Sequence, residues 1–236
     1  MFNRHLVVTT LLGACFLSLS LVKADTDLTQ LSSDEIVRNI IRYDAELNQD
    51  DFGDQQLAEK YYLEYLNRTS DWQAQAWAYC KLGTLFITNY TPAKGEKPDY
   101  DKSETYFKKC LKITGKRITT SSVRARSMLI SYKLTDELRM QKFIEHYQFL
   151  LRLEQTDISQ HWHAPFNLWR GPGDKKQSLH VFKTRLLPSL LDAISHNMVE
   201  QALALKNPQP ALQQILDTFP STPAAKLVQK QLNKAQ

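Results

Sequence analysis

The chain has 236 residues, of which 42% are hydrophobic and 23% charged, and its formal net charge at pH 7 is +5. This length predicts one domain with a substantial core, and seven glycines among many Leu, Ala, Gln and Lys residues favour helix over sheet. The positive charge is mild and spread along the chain, which excludes the strongly basic footprint of a nucleic-acid-binding protein.

Residues 1–24 have the pattern of a secretory signal peptide. Arg4 precedes an apolar run over 6–22, and Val22 and Ala24 place small or apolar residues at the cleavage positions. We expect export and cleavage after Ala24, which places the protein in the periplasm or cell envelope. Two alternatives stay open, an uncleaved anchor and a lipoprotein that begins at Cys15. Membrane contact is expected only in these two cases.

A first pair of helices is predicted after the signal segment. Ser32 and Glu35 form a capping box, in which each side chain accepts a hydrogen bond from a free backbone N–H of the other residue. Ala58 and Tyr62, four residues apart, mark the packing face of the second helix. We place a helical repeat region over residues 25–154.

The segment 76–115 carries the clearest pattern, two amphipathic helices in tandem. The second helix places Ser103, Phe107 and Cys110 on one face at three- and four-residue steps. Gly83 stands inside the first helix, where glycine costs roughly 1 kcal/mol relative to alanine. We therefore predict that another helix approaches Gly83 too closely for a β-carbon.

The same pattern recurs along the chain. Ala58, Ser103 and Phe143 are each followed four residues later by an aromatic residue, and they lie 45 and 40 residues apart. The central second helix is predicted to begin near Asp99 and to end at Gly115. Three helix pairs at similar intervals indicate a repeat architecture.

These residues resemble the tetratricopeptide pattern. Leu82-Gly83-x-x-Phe86, followed by Tyr100-x-x-Ser103-x-x-x-Phe107-x-x-Cys110, is similar to its L-G-x-x-Y and A-x-x-x-F motifs. The connection over 94–103 resembles the related Sel1-like repeat. The resemblance implies an all-α fold, a right-handed array of antiparallel helix pairs. It also implies a scaffold or adaptor whose partner is another protein or peptide.

The resemblance also implies particular contact residues. Cys80, Thr84 and Ile87 would lie on or near the concave side of the central first helix. Some exported Sel1-like proteins join the helices of each repeat by a disulfide, which implies a bridge between Cys80 and Cys110. Cys80 stands one position away from the family's cysteine, and the alternative is two small buried residues.

Residues 155–177 break the helical pattern. This segment is rich in aromatic residues, proline and glycine, and long irregular segments in compact domains are often functional. Trp162, Trp169 and Arg170 are candidate partner contacts, because these residue types are enriched at binding hot spots. The alternative is that the rings are buried beneath the loop as a satellite core.

His161 and His163, in the same segment, have the spacing of metal ligands in an extended chain. They support an alternative function, a metal-assisted hydrolase of the cell envelope. No third ligand is recognisable from the sequence, and no nucleophile, metalloprotease or phosphate-binding motif is present. We therefore expect no catalytic residue, no metal and no cofactor. A third function, a lipoprotein subunit of an outer-membrane assembly complex, depends on Cys15.

The C-terminal segment, residues 178–236, is predicted to consist of helices that cap the array. Pro188 is expected to open or kink the first of them. Thr222 followed by Pro223 is a start signal for the last helix, because proline is favoured at the first helical position.

Overall fold

The computed structural model describes residues 27–47, 55–88, 97–130, 136–168 and 170–234. Its helices are a 3-10 turn (Leu28–Gln30), α1 (Ser33–Leu47), α2 (Gln55–Arg68), α3 (Trp72–Thr88), α4 (Tyr100–Thr114), α5 (Thr120–Leu129), α6 (Asp136–Gln155), α7 (Lys175–Val181), a π-helical turn (Phe182–Leu186), α8 (Leu187–Ala204), α9 (Pro208–Thr218) and α10 (Pro223–Lys234). The fold is mostly helical, as the composition predicts.

The predicted signal segment, Cys15 and Trp169 lie outside the described residues. None of the helices seen in these ranges is both long and apolar enough to span a bilayer.

Local sequence signals fix several helix ends. The Glu35 N–H donates to Ser32 Oγ at 3.3 Å and the Ser32 N–H donates to the Glu35 carboxylate at 2.8 Å, so the predicted capping box is present. Asp99 begins α4 by accepting the Lys102 N–H at 3.0 Å. Gly115 ends α4 with φ of 56°, a conformation that favours glycine. The predicted ends of the central second helix are therefore confirmed.

The helices α3 and α4 pack closely along much of their length. A β-carbon on Gly83 would lie only 2.6 Å from the ring of Phe107, which is completely buried. Ser103 Oγ donates a hydrogen bond of 2.7 Å to the Gly83 carbonyl oxygen across the same interface. The prediction that a helix approaches Gly83 too closely for a side chain is confirmed.

The C-terminal helices enclose a second core. The helix α8 packs against both α6 and α10, and α9 closes the group. The buried side chains at its centre are large and come from all four helices and from the loop after α6: Tyr147, Leu150, Trp162, Leu187, Met198, Leu212, Ile215 and Val228. This core begins at Val123 of α5, whereas Ala125 of the same helix belongs to a cluster around Phe107. The helix α5 therefore joins the two regions.

The segment predicted to be irregular has a defined path. A parallel β-bridge joins Ile118 to Trp162, with the Ile118 N–H donating to the His161 carbonyl oxygen at 2.8 Å. Two short antiparallel strands follow, β1 (Phe166–Asn167) and β2 (Gly171–Pro172). The helix α7 begins before residue 178, where the sequence placed the first C-terminal helix, because Asp174 caps it by accepting the Gln177 N–H.

A π-helical turn joins α7 to α8. The Leu187 N–H donates to the Phe182 carbonyl oxygen, five residues back, and both side chains are buried. Val181 and Leu186 have the same spacing and point outward, with exposed fractions of 43% and 36%. Pro188 lies in the first turn of α8, directly after the π-helical turn.

Candidate functional site

Two of the three contact residues implied by the tetratricopeptide resemblance, Cys80 and Thr84, lie at a cavity between α3 and α5, and both side chains are buried. Cys80 and Thr84 of α3 line it together with Arg124 of α5, and its volume is about 190 Å³. Phe166 of β1 closes one side, so the loop after α6 contributes a wall that the helical pattern did not predict. Ile87 is half-buried and packs against the cluster around Phe107.

Cys80 and Cys110 lie side by side as free thiols in the interior of the α3–α4 pair. Cys80 Sγ donates to the Ser121 carbonyl oxygen at 3.2 Å. The hydrogen bond between the two thiols raises the pKa of Cys110 above its ordinary value, and burial acts in the same direction. Cys110 is therefore a protonated, unreactive thiol at neutral pH. The disulfide implied by the resemblance stays a prediction, since the structure places the two sulfurs in contact without a bond.

Trp162 and Arg170, two predicted partner contacts in the loop after α6, differ in solvent exposure. Trp162 is completely buried in the C-terminal core, where its Nε1–H donates to Ser178 Oγ at 3.1 Å and its ring packs 4.6 Å from that of Phe182. A buried ring cannot contact a partner, so the prediction for Trp162 is wrong. The β-bridge to Ile118 draws it inward. Arg170 is exposed in the turn between β1 and β2.

Within the described residues, the histidine pair does not gain a third ligand. Among the residues that the structure describes, no group of three His, Cys, Asp or Glu side chains is arranged to hold a metal ion. His161 is exposed, whereas His163 packs edge-on against Trp72 with ring centroids 5.0 Å apart. Burial lowers the pKa of His163, and the nearby positive charges of Lys175 and Arg117 lower it further. The same charges oppose the binding of a divalent cation.

A second depression adjoins the first. It lies between the β1–β2 hairpin and the π-helical turn, has a volume of about 500 Å³, and shares Thr120 and Phe166 with the α3–α5 cavity. Its outer wall is apolar, because Val181 and Leu186 are exposed there. We call the two depressions together the hairpin groove. Sequence reasoning missed Val181 and Leu186, since their five-residue spacing is not that of one face of an α-helix.

The hairpin groove offers contact surface of mixed chemistry. It combines an aromatic ridge at Phe166, an apolar wall, and the positive side chains of Lys81 and Arg124. The chain matches no protein-family model, no curated protein and no solved structure. Its interpretation therefore rests on the geometry of its own residues.

Proposed function

We propose that this protein is an exported helical-repeat scaffold or adaptor that binds another protein or peptide in the cell envelope. The observation that carries the proposal is the hairpin groove, where Val181 and Leu186 are exposed beside a cavity that is lined by the buried side chains of Cys80 and Thr84. Exposed apolar surface next to a depression is typical of protein-binding sites.

The order of helix packing supports a repeat array. The helix α1 packs on α2, α2 on α3, α3 on α4, and α4 on α5, while α3 also contacts α5. From α1 to α5 each helix therefore packs against the next, as expected for stacked helix pairs. We include the right-handed tetratricopeptide or Sel1-like arrangement in the proposal, on the strength of the Gly83–Phe107 contact and the motifs around it.

The chemistry of the groove favours an apolar partner segment. Phe166, Val181 and Leu186 supply apolar area that loses contact with water on binding, at roughly 25 cal/mol per Å² of apolar surface. The α3–α5 cavity, of about 190 Å³, can receive one side chain of that segment. Exposed Arg170 stands in the hairpin turn beside the groove and offers a polar contact at the rim.

A photo-crosslinking experiment tests the proposal. Benzoylphenylalanine is placed at Val181 in the native host, and at Leu203 as a matched control, an α8 residue that is 41% exposed. We expect one reproducible partner from position 181 and none from position 203. The substitution Leu186→Asp should abolish the crosslink, because it places a charge in the apolar wall. Identical crosslinks from both positions, or none from position 181, would contradict the proposal.

The two alternative functions have their own readouts. Stoichiometric zinc that disappears on His163→Ala would favour the metal-assisted hydrolase. An intact-mass measurement of the exported protein would reveal a diacylglyceryl group if the chain begins at Cys15. We expect neither result.

A further inference from the structure

A separate groove of about 610 Å³ lies on the surface where α4, α5 and α6 meet. Its floor is apolar, with Leu111 of α4, Leu129 of α5 and Phe149 of α6. His146 also lines it, and burial lowers the pKa of this imidazole to about 4, so that it is neutral at physiological pH. The floor therefore carries no charge.

The walls of the groove carry an excess of positive charge. Each of the three helices contributes at least one cation to them: Lys108, Arg126, Lys142 and Arg152. The carboxylates of Glu104 and Glu145 also line the groove and form ion pairs of 2.5 Å with Lys108 and 2.7 Å with Lys142. The two arginines then leave two positive charges in excess. The Arg126 guanidinium lies over the Phe149 ring, 5.1 Å from its centroid.

The spacing of the cations indicates the size of the ligand. On α6 the lining of the groove extends from Lys142 to Arg152, ten residues apart, so the groove is about 15 Å long along the helix axis. That distance is too long for one carboxylate or phosphate group, and it matches about four or five residues of extended peptide. A uniform polyanion such as nucleic acid would leave the apolar floor unmatched, whereas a peptide supplies both acidic and apolar side chains.

We propose that the α4–α6 groove binds a short extended peptide in which acidic residues alternate with apolar ones. The acidic side chains pair with Arg126 and Arg152, since guanidinium groups bind carboxylates in a bidentate manner. The apolar side chains pack against Leu111 and Leu129 on the floor. The groove is thus a second peptide site, distinct from the hairpin groove.

The two grooves lie on opposite faces of α5. Thr120, Ser121 and Arg124 face the hairpin groove, whereas Arg126 and Leu129 face the α4–α6 groove. At about 100° per residue, these two sets are on average about 180° apart around the helix. A peptide can therefore occupy one groove without covering the other, and this proposal stands independently of the proposed function.

Fluorescence anisotropy of the purified protein tests the second site. The probe is a fluorescein-labelled pentapeptide, Glu-Phe-Asp-Leu-Glu, and its matched control is the amide analogue Gln-Phe-Asn-Leu-Gln. We expect R126Q/R152Q to weaken binding of the acidic probe roughly tenfold or more. The control K226Q/K230Q removes the same charge from exposed positions of α10 and should leave binding unchanged.

A gain-of-affinity variant separates binding from folding. E104Q/E145Q removes the two carboxylates of the groove, so it should strengthen binding of the acidic probe roughly threefold. Equal binding of the amide analogue, or equal losses in the groove and control variants, would overturn the proposal. So would groove-dependent binding of phosphatidylglycerol vesicles or oligo-dT without binding of the peptide. Failure of the Val181 crosslink, with peptide binding intact, would remove only the proposed function.

Discussion

The contact between α3 and α4 and the core of the C-terminal helices differ in the size of the side chains that they bury. Between α3 and α4, the small residues Gly83, Ser103 and Cys110 let the two helices approach around the ring of Phe107, beside the stacked rings of Phe86 and Tyr106. In the C-terminal group, large side chains from α6, α8, α9, α10 and the preceding loop fill the space between helices.

This difference in side-chain size determines which substitutions destabilise each region. A close helix contact built on small residues resists any added atom, because backbone and ring are already in contact. A core of large side chains resists the loss of atoms, because a deletion leaves a cavity that the surrounding helices only partly fill. The following predictions test this contrast, from the largest expected effect to the smallest.

Removing the ring of Trp162 tests the large-residue core. We expect Trp162→Ala to lower the free energy of unfolding by about 3–5 kcal/mol, because the buried ring fills the space beside Phe182. Urea denaturation followed by circular dichroism measures the change. Trp162→Phe keeps most of the apolar volume and should lose less than half as much. Equal losses for the two variants would show that the Nε1 hydrogen bond to Ser178, and not the ring volume, matters there.

The junction of the two regions should be sensitive to acid. His146 of α6 is buried and its Nε2 lies 2.9 Å from Ser127 Oγ of α5, and burial, followed by the charge of Arg126, lowers its pKa to about 4. The unfolded chain, with an ordinary pKa near 6.5, binds more protons between these values, so stability falls as the pH drops through this window. We expect a loss of about 2 kcal/mol between pH 7 and pH 5 from this residue.

Urea denaturation of the protein and of His146→Gln at both pH values isolates that contribution. The variant cannot bind the proton, so its stability should change less over the same interval. His163, whose pKa is also lowered by burial, should contribute in the same direction. A variant as acid-sensitive as the parent protein would assign the effect to other groups.

Adding one carbon tests the small-residue contact. Gly83→Ala should destabilise the protein by about 1–2 kcal/mol, because the overpacking cost against Phe107 exceeds the gain of roughly 1 kcal/mol in helix propensity. The matched control is Gly173→Ala, where a β-carbon would lie 3.7 Å from the nearest atom, an ordinary contact. Thermal unfolding should separate the two variants. If Gly83→Ala matched the control, the contact with Phe107 would not limit the packing of α3 on α4.

The two regions also differ in the hydrogen bonding of their buried tyrosine hydroxyl groups. The Tyr147 hydroxyl, in the C-terminal core, has no hydrogen-bond partner within the described part of the chain, whereas the Tyr106 hydroxyl donates to the Glu59 carboxylate at 2.5 Å. We expect Tyr147→Phe to stabilise the protein by about 1 kcal/mol and Tyr106→Phe to destabilise it by a similar amount. Chemical denaturation of both variants checks the opposite signs; equal signs would contradict the assignment.

The sequence predicted the features that depend on neighbours along the chain. The caps at Ser32 and Asp99 and the end of α4 at Gly115 are local, and Gly83 is conspicuous because glycine is unfavourable inside a helix. A motif within one helix pair led to Cys80 and Thr84, whose role as partner contacts stays a prediction. The repeat array, the Cys80–Cys110 bridge and the export of the chain stay predictions.

The features that the sequence did not predict depend on distant segments. Tryptophan is a residue type that is enriched at binding sites, so Trp162 was predicted to contact a partner. Its β-bridge to Ile118, which is distant along the chain, instead draws the ring into the core. The hairpin groove needs Phe166 to pack beside α3, and no periodicity within α3 indicates that neighbour. Long-range placement of this kind leaves no local signal.

The π-helical turn gives the hairpin groove an unusual vulnerability. Val181 and Leu186 point outward while Phe182 and Leu187 point inward, and each pair is separated by five residues. In an ordinary α-helix residues five apart lie about 140° from each other, so neither pair would share a face. The deletion of one of residues 183–185, which do not line the groove, would restore regular winding and rotate α7 relative to α8. Such a deletion would dismantle the groove while preserving every side chain that lines it.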